Sequence, residues 1–238
     1  NKMLDKIEAI LKSNMVTSSK YVKELEEELK KYIGVRNVIL MSSCTSGLIL
    51  SLTALNLRNK EIIIPSFTNI ATVNSAYWNN CKLIFADIDK ESFNISIEDI
   101  KKKITKNTAA VFAVNMYGNP CNINELNEIA EDHNLKIIFD SAQGLGSSYK
   151  GKKVGNFGNA EVFSTSPTKH FSTAEGGFVT TNNDELASLI RTLRNYGSTA
   201  EDTKVIGLSA RPPEINAAIG LSMVKDIDLF IKNRNDYI

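Results

Sequence analysis

Residues 109–143 read AAVFAVNMYGNPCNINELNEIAEDHNLKIIFDSAQ. Two short apolar runs, 109–114 and 136–139, enclose a helical stretch at 124–133. Neither run alternates polar with apolar residues, which is the pattern of strands buried on both faces. The unit therefore reads strand, helix, strand, and its second strand runs straight into Asp140.

The same alternation extends in both directions. Further apolar runs occupy 38–41, 61–64, 82–86, 161–163 and 177–180, with helical stretches at 45–55, 70–78 and 97–103. That order predicts an α/β fold with a mainly parallel sheet between helices. Ahead of it, Met3, Leu4, Ile7, Ile10 and Leu11 have helical spacing, and a second amphipathic helix spans 19–33 with Gly34 as its stop. Behind it, 184–195 and 214–234 read as two longer helices. No repeat, low-complexity linker or compositional break divides residues 1–238, so a single large domain with N-terminal helices is expected.

At 238 residues the chain can bury a sizeable core, and 42% hydrophobic with 23% charged residues describes an ordinary globular protein. Its 28 basic and 27 acidic residues nearly cancel. Nothing in that balance points to nucleic acid or to an acidic membrane surface. No run approaches the roughly 18 apolar residues of a membrane span. Cys44, Cys81 and Cys121 are odd in number and far apart, which fits a reducing compartment and predicts a cytoplasmic protein. His133 and His170 are the only histidines and neither has a partner at metal-ligand spacing, so no metal site is expected.

In an open parallel sheet, ligands sit outside the carboxyl ends of the strands. Three segments place reactive residues there. Ser42-Ser43-Cys44-Thr45-Ser46-Gly47 is a hydroxyl-rich turn into a helix, where unpaired N–H groups hold a phosphate well. The same residues also serve a plain helix cap by Ser43. Asp140-Ser141-Ala142-Gln143 puts a carboxylate at a strand end, where it can cap a helix or pair with a cationic ring. Ser164-Thr165-Ser166-Pro167-Thr168-Lys169-His170 sets a lysine among small and apolar residues, before Glu175-Gly176-Gly177. A lysine in such a setting is a candidate for Schiff-base chemistry.

In order and spacing these segments resemble the DegT–StrS group of nucleotide-sugar aminotransferases, within the aspartate-aminotransferase-like fold. The likeness also runs through Pro65-Ser66-Phe67-Thr68, Tyr117-Gly118-Asn119-Pro120, Arg194-Asn195-Tyr196-Gly197 and Ala217-Ala218-Ile219-Gly220-Leu221. It implies a pyridoxal 5'-phosphate-binding large domain over residues 1–238. Family members usually carry a smaller domain beyond the point matched by Ile238, so the expectation is a large domain alone, a fragment, or a partner chain supplying the rest.

The resemblance also implies roles. Lys169 matches the lysine that forms the Schiff base with the cofactor, and Asp140 matches the carboxylate that keeps the pyridine nitrogen protonated. Gln143 matches the side chain near the ring's phenolic oxygen, and Thr45, Ser46 and Ser164 match the phosphate cradle. Three positions depart from the family pattern. Cys44 replaces a usual glycine. Asn69 stands where an aromatic often stacks on the ring, and Ser209 stands where an asparagine reaches the neighbouring subunit's phosphate. The implied activity is amino transfer, from glutamate to a keto-sugar carried on a nucleotide, by a ping-pong cycle in a homodimer. Two alternatives stand beside it. One is a sugar dehydratase, whose branch of the family has histidine in place of the lysine, here Lys169. The other is a non-catalytic cofactor-binding regulator or subunit.

Overall fold

The computed structural model of the chain describes residues 2–199, 202–203 and 205–236. Seven strands build one sheet: β1 (Asn37–Met41), β2 (Glu61–Pro65), β3 (Lys82–Ala86), β4 (Thr108–Val114), β5 (Lys136–Asp140) and, after the small hairpin of β6 (Ser148–Tyr149) and β7 (Lys152–Lys153), β8 (Ala160–Ser164) and β9 (Gly177–Thr181). Their order across the sheet is β1-β9-β8-β5-β4-β2-β3. Each apolar run of the sequence is one of these strands.

The pairings among β3, β2, β4, β5 and β8 are parallel, whereas β9 is antiparallel to both β8 and β1. The reason lies in the connections. A parallel return needs a crossover, usually a helix; helices link β2 to β3, β3 to β4 and β4 to β5, and a longer crossover through the β6–β7 hairpin links β5 to β8. Residues 165–176, between β8 and β9, form a shorter loop of turns that makes no crossover, and the chain turns back on itself. Phe163 and Phe178 face each other across that turn-back, their rings stacked with centroids 4.6 Å apart. Such a pair contributes about 1 kcal/mol beyond its burial. It fixes β9 beside the loop that carries Lys169.

Alternate strand residues face opposite layers. Ile39 and Met41 join one cluster with Leu48 and Leu52 of α3 (Cys44–Ala54), Ala76 of α4 (Ile70–Trp78), and Ala187 and Ile190 further along the chain. Val38 and Leu40 face the other way, toward Val22, Leu25 and Leu29 of the N-terminal region. α5 (Ile97–Lys103) and α6 (Ile123–His133) cover the remainder of that face through Ile100, Leu126 and Ile129.

The two N-terminal helices are α1 (Lys2–Ser13) and α2 (Lys20–Ile33), with Gly34 ending α2 as its position predicts. The carboxylate of Glu214 is almost fully buried and accepts from the main-chain N–H groups of Ser19, Tyr21 and Val22. These are donors that a helix start leaves unpaired. After α7 (Asp184–Arg194), the stretch 214–234 departs from the single long helix expected. It forms α8 (Glu214–Met223), a 3-10 turn at Val224–Asp226, and α9 (Ile227–Asn235). Burial of Val224 and Ile227 against the α2 side holds the break in place, and helical spacing alone does not reveal it.

Candidate functional site

Because β9 is antiparallel to both its neighbours, β1 runs in the same sense as β8 and the parallel strands. The carboxyl ends of β1, β2, β4, β5 and β8 therefore meet at one edge of the sheet. A cavity of about 510 Å³ opens there, and each of those ends contributes to its wall. Cys44 and Thr45 follow β1, Phe67 and Asn69 follow β2, and Tyr117 follows β4. Asp140 and Gln143 close β5, and Ser164 and Lys169 come from β8 and its loop.

Asp140 is 4% exposed. Thr72 Oγ1 donates to its Oδ2 at 2.7 Å and the Ala142 N–H to its Oδ1 at 3.1 Å. Burial pushes this carboxyl above the usual carboxylate range, while those two bonds and the nearby Lys169 charge pull the other way. A carboxylate held in that balance favours a cation beside it.

Behind Asp140 lies a second buried chain. Asn115 Nδ2 donates to Ser141 Oγ at 2.8 Å, and Ser141 Oγ donates to Glu161 Oε2 at 2.9 Å. Glu161 is fully buried and also accepts from the Phe157 N–H at 2.6 Å. Burial is the main cause that pushes its carboxyl up to about 7. The Asn115 N–H bonds back to the Asp140 carbonyl at 3.0 Å. This network fixes the ends of β4 and β5 relative to each other.

The turn after β1 is a complete capping box. Ser43 Oγ accepts from the Ser46 N–H at 3.0 Å, and Ser46 Oγ accepts from the Ser43 N–H at 3.2 Å. Ser46 is thereby engaged within the turn and does not line the cavity, whereas Ser43, Cys44 and Thr45 do. β9 presses directly on this turn: a side-chain carbon on Gly177 would lie 2.5 Å from the Cys44 nitrogen, so only glycine fits. Burial pushes the Cys44 thiol well above its ordinary value, with Asp140 adding to the rise and Lys169 opposing it.

The remaining candidates divide. Gln143 lines the cavity, and its Oε1 accepts from the Tyr117 N–H at 2.9 Å. Ser164 lines it too and donates to Ser166 Oγ at 3.1 Å. Asn69 is on the wall but caps α4, accepting from the Ala71 N–H at 2.9 Å; the aromatic rings on the wall are Phe67 and Tyr117. Ser209 is exposed and outside the cavity, pairing as a bridge with Asn195, although the adjacent Ala210 carbonyl accepts from the Ser42 N–H at 2.9 Å. Thr72, Asn115 and Glu161 belong to none of the three motifs read from the sequence, and Ser141 stands in one without an assigned role. Only the fold brings Thr72, Asn115 and Glu161 to Asp140 and Ser141.

This cavity, at the carboxyl edge of a mainly parallel sheet, defines a ligand-binding α/β protein. The chain belongs to the DegT/DnrJ/EryC1/StrS aminotransferase family, whose profile matches residues 1–238. It is 34% identical over 98% of its length to a UDP-4-amino-4,6-dideoxy-N-acetyl-beta-L-altrosamine transaminase of Campylobacter jejuni, spanning 64% of that protein. It is 30% identical over 98% of its length to a GDP-4-keto-6-deoxy-D-mannose 3-dehydratase of Yersinia pseudotuberculosis, spanning 66% of it. A crystal structure of DesI with its TDP-sugar product superposes with a TM-score of 0.89 at 32% identity, covering 95% of this chain and 58% of DesI. The fold is that of the aspartate-aminotransferase-like sugar aminotransferases.

Proposed function

We propose that this chain is the pyridoxal-phosphate-binding large domain, residues 1–238, of an aminotransferase that transfers an amino group from glutamate to a nucleotide-linked keto-sugar. The observation that carries the proposal is the meeting of Lys169 and Asp140 in one cavity with the hydroxyl-rich turn of α3.

The donor set fits the cofactor. A buried carboxylate that burial disfavours, steadied by Thr72, suits a cationic ring nitrogen. The first turn of α3 offers helix N-terminal N–H groups to a phosphate, with Thr45 and Ser164 beside it. Gln143 spends its oxygen on the Tyr117 N–H, which leaves its amide NH₂ to donate to the ring's phenolic oxygen. Phe67 and Tyr117 stand on the wall as alternatives to the aromatic that Asn69 replaces.

When bound, pyridoxal phosphate supplies an aldehyde that joins to amines and a protonated ring that withdraws electrons from the substrate carbon. Lys169 would hold the cofactor through Nζ and, once displaced by substrate, carry the proton on and off the reacting carbon. Asp140 would keep the ring nitrogen protonated. The Asn115–Ser141–Glu161 chain would hold Asp140 and the following turn in register.

The dehydratase reading is disfavoured by Lys169, since the resemblance gives that branch a histidine. We further propose a cytoplasmic homodimer in which Ser209 faces the partner's cavity. Ile70, Tyr77 and Trp78 of α4 and Phe85 of β3, all substantially exposed, support such an interface. Visible absorption spectra with added pyridoxal phosphate test the function. A long-wavelength band that is lost on adding glutamate is expected, and an unchanged spectrum overturns the aminotransferase reading.

A further inference from the structure

Each hydrogen bond in the chain behind Asp140 has a fixed direction. The Cys121 N–H donates to Asn115 Oδ1 at 2.9 Å, so the Asn115 amide presents its NH₂ to Ser141. Ser141 Oγ accepts there, and its single proton goes to Glu161 Oε2 at 2.9 Å. The other oxygen, Oε1, accepts from the Phe157 N–H, and the Gly155 main chain donates to the same carboxyl. Among the described residues, the hydrogen-bond partners of Glu161 are therefore all donors. That is the environment of a carboxylate, since a carboxylic acid has a proton of its own to place.

Burial opposes the charge. It is the largest cause of the rise to about 7, against which act the bonds from Phe157, Gly155 and Ser141 and the charge of Lys152. The titratable groups set around Glu161 add no close cation. Lys152 of β7 is exposed, the Cys121 thiol ahead of α6 is held neutral by burial and by Glu161 itself, and Asp140 at the end of β5 has the same sign. Glu161 thus changes charge near neutrality.

A protonated Glu161 needs an acceptor. If Ser141 Oγ takes that role, its own proton is left buried without a partner. Thr180, directly opposite Glu161 in the β8–β9 pairing, has a buried Oγ1 with no hydrogen-bond partner, and side chains so placed lie roughly 5 Å apart at Cβ. Whichever hydroxyl is used, protonation removes the bond that Ser141 donates. Ser141 is the centre of the turn in which the Ala142 N–H donates to Asp140 Oδ1 at 3.1 Å, so that bond bears on the Asp140 carboxylate.

We propose that Glu161 is a positioning residue for the cofactor site: as an anion it holds the Asp140–Ala142 turn in the geometry that pairs with a cationic ring, and on protonation it releases that turn. The inference rests on the aminotransferase reading for the identity of the cation. Cofactor affinity then rises with pH as Glu161 ionises. The same ionisation weakens the fold, which is a trade of stability for the site.

Fluorescence titration of the apoprotein with pyridoxal phosphate at pH 6 and pH 8 tests this. The cofactor's own ionisations act equally on wild type and variants, so the ratio of their affinities isolates Glu161. Wild type should bind about tenfold more tightly than Glu161→Gln at pH 8, the scale of a hydrogen bond to a charged group, and the advantage should shrink toward none at pH 6. Ser141→Ala keeps the carboxylate and cuts the link, so it should bind weakly at both values; it also serves if Glu161→Gln fails to fold. A constant ratio of wild type to Glu161→Gln, or a Ser141→Ala protein with the wild-type pH response, overturns the proposal. Hydrogen–deuterium exchange of the 140–145 segment in the apoprotein, corrected for intrinsic rate, gives a reading without cofactor. The segment should open more at pH 6 than at pH 8 in wild type, and a pH-independent opening there also overturns the proposal. Failure of wild type to bind pyridoxal phosphate defeats the aminotransferase reading instead, and the exchange data then judge Glu161 alone.

Discussion

Thr72 Oγ1 lies 2.7 Å from Asp140 Oδ2, although the two residues are 68 positions apart. Thr72 is completely buried on α4, and Thr68 Oγ1 lies 2.7 Å behind it. A hydroxyl has one proton, so Thr72, in donating to Asp140, can accept from Thr68. The carboxylate is thus steadied by a short relay rather than by one contact. Thr72→Val keeps the shape and removes the donor. A hydrogen bond to a charged group is worth about 1.5–3 kcal/mol, so affinity for pyridoxal phosphate should fall by about tenfold or more. Fluorescence titration of the apoprotein measures it, and an unchanged affinity would reduce Thr72 to a packing residue.

Asp140→Asn retains the volume and an oxygen for Thr72 but removes the charge. The half-reaction with glutamate should slow by a factor equivalent to about 3 kcal/mol or more, the scale of a lost electrostatic contribution. Stopped-flow absorbance reads this rate directly. A wild-type rate would mean that Asp140 only ties the turn after β5.

Lys169 should be the residue that carries the cofactor covalently. Borohydride reduction followed by peptide mapping is expected to find the label there, and a label on another lysine refutes the assignment. Lys169→Ala should lose nearly all turnover, and an added small amine should restore a little.

Glu161 gives the fold a pH dependence of defined sign. Its carboxyl is raised from 4.5 to about 7 by burial. A group raised in the folded state contributes stability that is complete below its unfolded value and is lost as pH rises through the folded one. That shift corresponds to on the order of 3 kcal/mol. Glu161→Gln sets an amide NH₂ or a misplaced oxygen against the Phe157 N–H and Ser141, so its absolute stability should drop. The informative quantity is the slope. Between about pH 5 and pH 8, wild type should lose stability relative to the variant. Parallel denaturation profiles across that range would sink the assignment.

Assembly should follow the exposed apolar surface of α4 and β3. Trp78 is 71% exposed and Tyr77 76%. An obligate interface there would bury more than roughly 2,000 Å², and cofactor retention should then depend on protein concentration. Sedimentation and cofactor retention over one dilution series check both. Trp78→Glu should shift the protein toward monomer. A wild-type monomer that keeps its cofactor would refute the dimer.

The sequence by itself determined the strands, because runs such as 61–64 and 136–139 have no polar alternation and can only be buried on both faces. It also marked Asp140, Lys169 and the turn at Ser43, since each sits where an apolar run stops and reactive groups begin. Local pattern reaches no further than its own element. That β9 turns back against β8 and β1 is fixed by tertiary pairing, with Phe163 meeting Phe178 across the return. The break at Val224–Asp226 follows from burial against α2, which a helical period does not encode. Thr72, Asn115 and Glu161 look in sequence like unremarkable helix and strand residues. They acquire their relation to Asp140 only when four segments far apart in the chain converge at one edge of the sheet. There, exclusion of water gives each hydrogen bond its strength and moves the carboxylates from their ordinary values.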